Sequence, residues 1–103
     1  MKINKEAVEF QWEEGNIGKN KTKHDVTEME AEETFIDRKR FIFKDHIHSN
    51  NEERFRIMGK TKQGRLLFVV FTIRRKKIRI ISARDTNRKE ELLYEKKINT
   101  SII

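Results

Sequence analysis

The sequence predicts an α+β domain: an antiparallel β-sheet with two N-terminal helices and a C-terminal helix. Three observations carry that expectation. Segments 8–12 and 54–60 alternate apolar and polar residues with period two, the pattern of half-buried strands. The run 65–73 is apolar on both faces, as in a central strand covered on both sides. Thr27 and Asn87 each stand three residues before a glutamate, where a capping residue opens a helix. All 103 residues are read as one domain, because a second core would not fit, with a flexible tail from about residue 99.

The elements follow in order. Val8, Phe10 and Trp12 share one face of a first strand, which Gly15 breaks. A helix is expected from about Asn16 to His24, with Asp25 at its C-cap, since Asp tolerates the left-handed region. Thr27-x-x-Glu30 opens a second short helix through about Glu33, ending near Phe35. Phe41-Ile42-Phe43 is a short strand, and 46–51 is a polar loop. Strands are expected over 54–60, 65–73 and 78–83, separated by turns at 61–64 and 74–77; connections this short favour antiparallel neighbours. A final helix begins after Asn87, with Leu93, Tyr94 and Ile98 as its apolar stripe. The helices are expected on one face of the sheet, leaving Arg54, Arg56 and some of Thr72, Arg74, Arg79 and Arg84 on the other. Strict alternation puts Arg79 and Arg84 on opposite faces; a bulge or the strand end would have to re-aim one of them.

Charge is segregated. Residues 1–40 hold 8 Lys+Arg and 10 Asp+Glu; residues 41–103 hold 16 and 7, a balance of +9. Residues 54–84 hold eleven basic residues and no acidic one, a local positive field that attracts polyanions. The absence of Cys excludes disulfides, thiolate metal sites and Cys nucleophiles. No apolar run approaches the roughly 18 residues of a membrane helix, and the first ten residues show no secretory apolar region. A cytoplasmic protein is expected.

Four segments together resemble a known family. They are Phe10-x-Trp12-Glu13 with Asn16-x-x-x-Asn20-x-x-Lys23-His24; Thr27 to Phe35 with Asp37; Gly64 to Thr72 with Arg74; and Arg79-Ile80-Ile81-Ser82-Ala83-Arg84 with Glu90 and Tyr94-Glu95. In this order they resemble the BrnT toxins over nearly the whole chain. Two positions depart, Glu13 for the usual Asp and Asp25 for the usual Gly, and both substitutions are physically tolerable. The resemblance implies a RelE-like, microbial-ribonuclease type of fold. It also implies a type II toxin–antitoxin toxin that cuts RNA without a metal and so blocks translation. A BrnA-like, DNA-binding antitoxin would neutralise it, and operator DNA would be reached only through that partner.

Metal-free RNA cleavage uses the 2′-hydroxyl as its nucleophile. It needs a base, cations on the phosphorane and an acid for the leaving oxygen, but no cofactor. Arg79 and Arg84 match the family motif directly and Arg74 nearly so; these three are expected to hold the phosphate, since guanidinium is a permanent bidentate cation. The competing reading pairs them with Asp85, Glu90 or Glu91. Arg54, Arg56 and Arg65 are expected to bind RNA backbone. Lys23 and His24 match the family's Lys-His pair, and histidine ordinarily titrates near pH 6.5. His24 is equally a helix-capping residue. Glu90 and Tyr94 are further proton-transfer candidates, Tyr94 also being readable as core. His46 and His48 read as a solvated loop, since one spaced pair does not make a metal site. A non-catalytic RNA-binding or protein-interaction module with a basic sheet face is the alternative.

Overall fold

A computed structural model describes residues 9–12, 24–45 and 52–102, with side chains to Lys97. A five-stranded sheet organises the described residues, with β1 (Phe10–Gln11), β2 (Phe41–Asp45), β3 (Arg54–Lys60), β4 (Leu66–Arg74) and β5 (Lys77–Asp85). The spatial order is β1-β5-β4-β3-β2. Strands β2 to β5 are antiparallel neighbours, as the short turns from β3 to β4 and from β4 to β5 favour. The sheet is nevertheless mixed and not purely antiparallel, because β1 runs parallel to β5, pairing Phe10 with Ile78. The Ile78 N–H donates to the Glu9 carbonyl at 2.8 Å. Loop length speaks only for strands adjacent in sequence, so it gave no warning of this pairing.

One N-terminal α-helix is described, where two were expected. It is α1 (Glu28–Glu33), followed by a 3₁₀ turn at Thr34–Ile36. The other expected helix, 16–24, lies outside the described residues except for His24. The capping box forms as its spacing requires: the Glu30 N–H donates to the Thr27 hydroxyl at 3.1 Å, and the Thr27 N–H donates to the Glu30 carboxylate at 3.0 Å. Helix α2 (Arg88–Ile102) opens with the same exchange between Asn87 and Glu90, both bonds at 2.9 Å.

One face of the sheet carries the main core. Ile57, Leu67, Val69, Phe71, Ile78, Ile80 and Ala83 pack against Val26, Ala31 and Phe35, all buried. Aromatic edges lock this layer: Phe35 meets Phe71 edge-on with centroids 4.9 Å apart, and Phe10 meets Phe35 at 5.2 Å. The 3₁₀ turn lies so close to β3 that a Cβ at Gly59 would sit 2.6 Å from the Thr34 carbonyl oxygen. Trp12 joins this layer and donates its indole N–H to Glu32 at 2.7 Å.

The helices do not share one face. Tyr94 of α2 packs on the opposite side, with Met58 and Phe68, and beside Phe41, Phe43, Leu66 and Val70. The central strand is therefore covered on both sides, as its continuous apolar run requires. Leu93, expected in the α2 stripe, is exposed, and so is Leu92.

Candidate functional site

The basic face is built by register. Arg54 of β3 stands opposite Thr72 of β4, and Thr72 opposite Arg79 of β5. Arg56 stands opposite Val70, and Val70 opposite Ser82; Phe68 stands opposite Arg84. Strict alternation would have turned Arg84 into the core. The β4–β5 ladder shifts between Val70 and Phe71, however, so that Ile80 and Ser82 are paired while Ile81 is the extra residue of a bulge. Ile78, Ile80 and then Ala83 face the core. Arg79 and Arg84 therefore project from the same face.

Arg84 is held on that face by a carboxylate and a ring. Its guanidinium donates twice to the Glu90 carboxylate, both bonds 2.9 Å, and lies 4.4 Å from the Phe68 ring centroid. Arg56 approaches the same ring at 5.4 Å, while its Nε donates to buried Asp45 at 3.0 Å. One aromatic ring thus supports two guanidinium groups. Burial pushes the Glu90 carboxyl up. The Arg84 hydrogen bonds, the Asn87 N–H and the charges of Arg84 and Arg56 outweigh that effect and hold Glu90 below the ordinary carboxylate range. The Glu90 hydrogen bonds raise the Arg84 guanidinium in turn.

Arg74 and Arg79 do not join this cluster. The backbones of Arg79 and Arg84 are roughly 13 Å apart along β5 at about 3.3 Å per paired residue, and the Arg84 guanidinium is turned to Glu90. Arg74 instead meets Glu52, donating from Nε at 2.5 Å and from its terminal nitrogen at 3.3 Å. The Arg74 hydrogen bond, aided by the charges of Arg74, Arg79 and Arg54 against an opposing effect of burial, lowers the Glu52 carboxyl. Arg74 and Arg84 thus stand at opposite ends of the face, each on its own carboxylate, with Arg79 between them.

Arg65 is placed as an internal clamp. It donates twice to Asp85, at 2.7 and 2.8 Å, and once to Glu30 at 3.1 Å. It also donates to the carbonyls of Asp25 at 2.7 Å and His24 at 3.3 Å. These bonds tie the segment ahead of α1 to the end of β5. Asp25 there has φ of 56°, the left-handed conformation expected of a cap. His24 is exposed, and its charge contributes to lowering the Asp85 carboxyl, an effect dominated by the Arg65 hydrogen bonds. Lys23, His46 and His48 lie outside the described residues.

Tyr94 is buried and donates its hydroxyl to Asp37 at 2.6 Å. Burial, reinforced by the Asp37 bond, pushes that hydroxyl well up. This is a core position with a satisfied polar tip. Asp45, Glu52 and the support role of Phe68 carried no signal in the sequence, since each depends on which strands meet. Among the described residues, no three His, Asp or Glu side chains stand close enough to hold a metal ion. No helix among them is long and apolar enough to cross a membrane.

Comparison with known proteins identifies the fold and the family. No curated protein sequence matches the chain. The crystal structure of the Brucella abortus ribonuclease toxin BrnT superposes with a TM-score of 0.55 at 17% identity, covering 79% of this chain and 99% of that one. This likeness shows a shared fold. The profile of the family described as "Ribonuclease toxin, BrnT, of type II toxin-antitoxin system" matches residues 12–90. By that match, the chain belongs to the BrnT family of ribonuclease toxins of type II toxin–antitoxin systems.

Proposed function

We propose that this chain is an endoribonuclease that cleaves RNA through its 2′-hydroxyl, without a metal, and thereby inhibits translation. The observation that carries this reading is the pair Arg56 and Arg84, both supported by the Phe68 ring on a face shared with Arg54 and Arg79. Two fixed guanidinium groups can bind the scissile phosphate and stabilise the charge that builds on it as the 2′-oxygen attacks. Glu90 positions Arg84. Both Glu90 oxygens are taken up by Arg84, which leaves His24, whose carbonyl is tied to Arg65 at the end of β5, as the proton-transfer candidate. Tyr94, buried against Asp37, is left out of the chemistry.

The partner in this reading is a BrnA-like antitoxin that covers the basic face in the cytoplasm and carries the pair to operator DNA. The test is incubation of the purified protein with RNA in EDTA. The reading predicts fragments ending in 2′,3′-cyclic phosphate, and their loss when the antitoxin is added. RNA left intact, both free and on ribosomes, contradicts it.

One observation favours the second reading, a non-catalytic RNA-binding or protein-interaction module. Arg84 and Arg56 already hold carboxylates, Glu90 and Asp45, in ion pairs of 2.9 and 3.0 Å. That reading predicts salt-dependent RNA binding with no cleavage.

A further inference from the structure

The cluster at the far end of the basic face has its own logic. Arg54 and Arg79 flank Thr72 in one cross-strand row, and Arg74 lies two residues along β4 on the same side. The Thr72 hydroxyl donates to the Glu53 carbonyl at 2.7 Å and so holds the start of β3 against this row. That bond delivers the Glu52 carboxylate to Arg74, which grips it with both nitrogens of its fork. Three permanent cations thus surround one anion. The fork that fits a carboxylate also fits two oxygens of a phosphate. The cluster lies on the same face as Arg56 and Arg84 and adjoins them through Arg54, two residues from Arg56 on β3.

We propose that Arg54, Arg74 and Arg79 form a second phosphate subsite, which takes the RNA backbone away from the cleaved bond, and that Glu52 is its built-in competitor. The proposal rests on RNA being the substrate, as argued above. A backbone phosphate entering the subsite displaces the Glu52 carboxylate from Arg74 and takes over its hydrogen bonds. Each binding event is then an exchange of anions, which weakens attachment to any single phosphate. Polymers that also reach Arg56 and Arg84 are favoured over short anions, because they engage both clusters at once.

The test uses a 2′-O-methyl oligoribonucleotide, which presents the phosphates but has no nucleophile. Glu52→Gln should bind it about two- to fivefold tighter than the unaltered protein, the scale of one exposed ion pair. Arg74→Ala should bind it more weakly, with the salt dependence reduced by about 0.7 in log–log slope, the loss of one phosphate contact on a single strand. In the double variant most of the Glu52→Gln gain should vanish. Glu91→Gln, an equal charge change at a residue paired with Arg88, should have little effect. Circular dichroism confirms that each variant is folded.

An unchanged affinity in Glu52→Gln overturns the proposal. So does an equal gain in the Arg74→Ala background or in Glu91→Gln, which would report net charge alone. Tightening toward an acidic peptide but not the oligonucleotide also overturns it, since the cluster would then be a protein-docking site. Cleavage of unmodified RNA is scored separately. If cleavage is present and the binding pattern absent, only the subsite fails; if cleavage is absent and the pattern present, only the catalytic reading fails.

Discussion

Arg79 and Arg84 stand five positions apart on β5 and project from the same face, because the bulge at Ile81 reverses the alternation between them. Ile81 itself pairs with no residue of β4, so deleting it would join Ile80 to Ser82 and leave every other pair of the ladder in place. Arg79 and Arg84 would keep their common face, and Ile78, Ile80 and Ala83 would stay in the core. The expected outcome is a protein that still unfolds in one sigmoidal urea transition; loss of that transition would contradict the assignment of Ile81 as the bulge. Ile81→Val keeps the residue count and should leave the transition within about 1 kcal/mol of the unaltered protein.

Arg65 holds two carboxylates and two carbonyls. Replacing it with Met should destabilise the fold by about 2 kcal/mol, measured by chemical denaturation, because Glu30 and the backbone oxygens lose their donor. Lys should recover little, since one ammonium cannot reproduce the fork. The salt dependence of RNA binding should barely change in a folded Arg65→Lys protein, in contrast to Arg74→Ala.

Acid should weaken the fold in a defined window. Glu30 is lowered chiefly by the Thr27 N–H, Asp85 chiefly by Arg65, and Glu90 by Arg84 against an opposing effect of burial. Carboxylates lowered in the folded state stabilise it fully above their unfolded values, near about pH 4 to 4.5. That contribution is lost as pH falls further, through the folded values. Urea midpoints should therefore be flat from neutral pH to about pH 5 and fall steeply below about pH 4. Glu90→Gln should make the fall shallower.

The β4–β5 hairpin turns on Arg75 and Lys76, with φ of 50° and 67°. Both are left-handed, as a two-residue turn matching the strand twist demands, yet neither is Gly, Asn or Asp. Arg75→Asn with Lys76→Gly should stabilise the domain by about 1 kcal/mol, seen as a raised melting temperature. These positions lie outside the proposed catalytic cluster, so cleavage should be retained.

The parts legible in the sequence are those governed by local rules. The capping spacing at Thr27 and Asn87, the alternation of 54–60 and the two-faced run of β4 all became the elements they announce. Even the need for a bulge between Arg79 and Arg84 was visible, because period two makes it arithmetic. The rest depended on contacts distant in sequence. Two residues of β1 could not reveal a parallel partner 68 positions away, Phe10 to Ile78. The side taken by α2 was hidden because, among its described side chains, Tyr94 is buried whereas Leu92 and Leu93 face solvent. The partition of the arginines was equally hidden: Arg65 became a clamp only because Asp85, Glu30 and the Asp25 carbonyl meet at one point.

The central claim is that Arg84, held by Glu90 over Phe68, stabilises the cleaved phosphate. The most direct measurement is the single-turnover cleavage rate of Arg84→Ala against that of Arg88→Ala, a change at an exposed arginine on the same helix turn as Glu91. With both proteins folded, the account predicts a loss of about a hundredfold or more for Arg84→Ala and little change for Arg88→Ala. Equal rates in the two variants would contradict it.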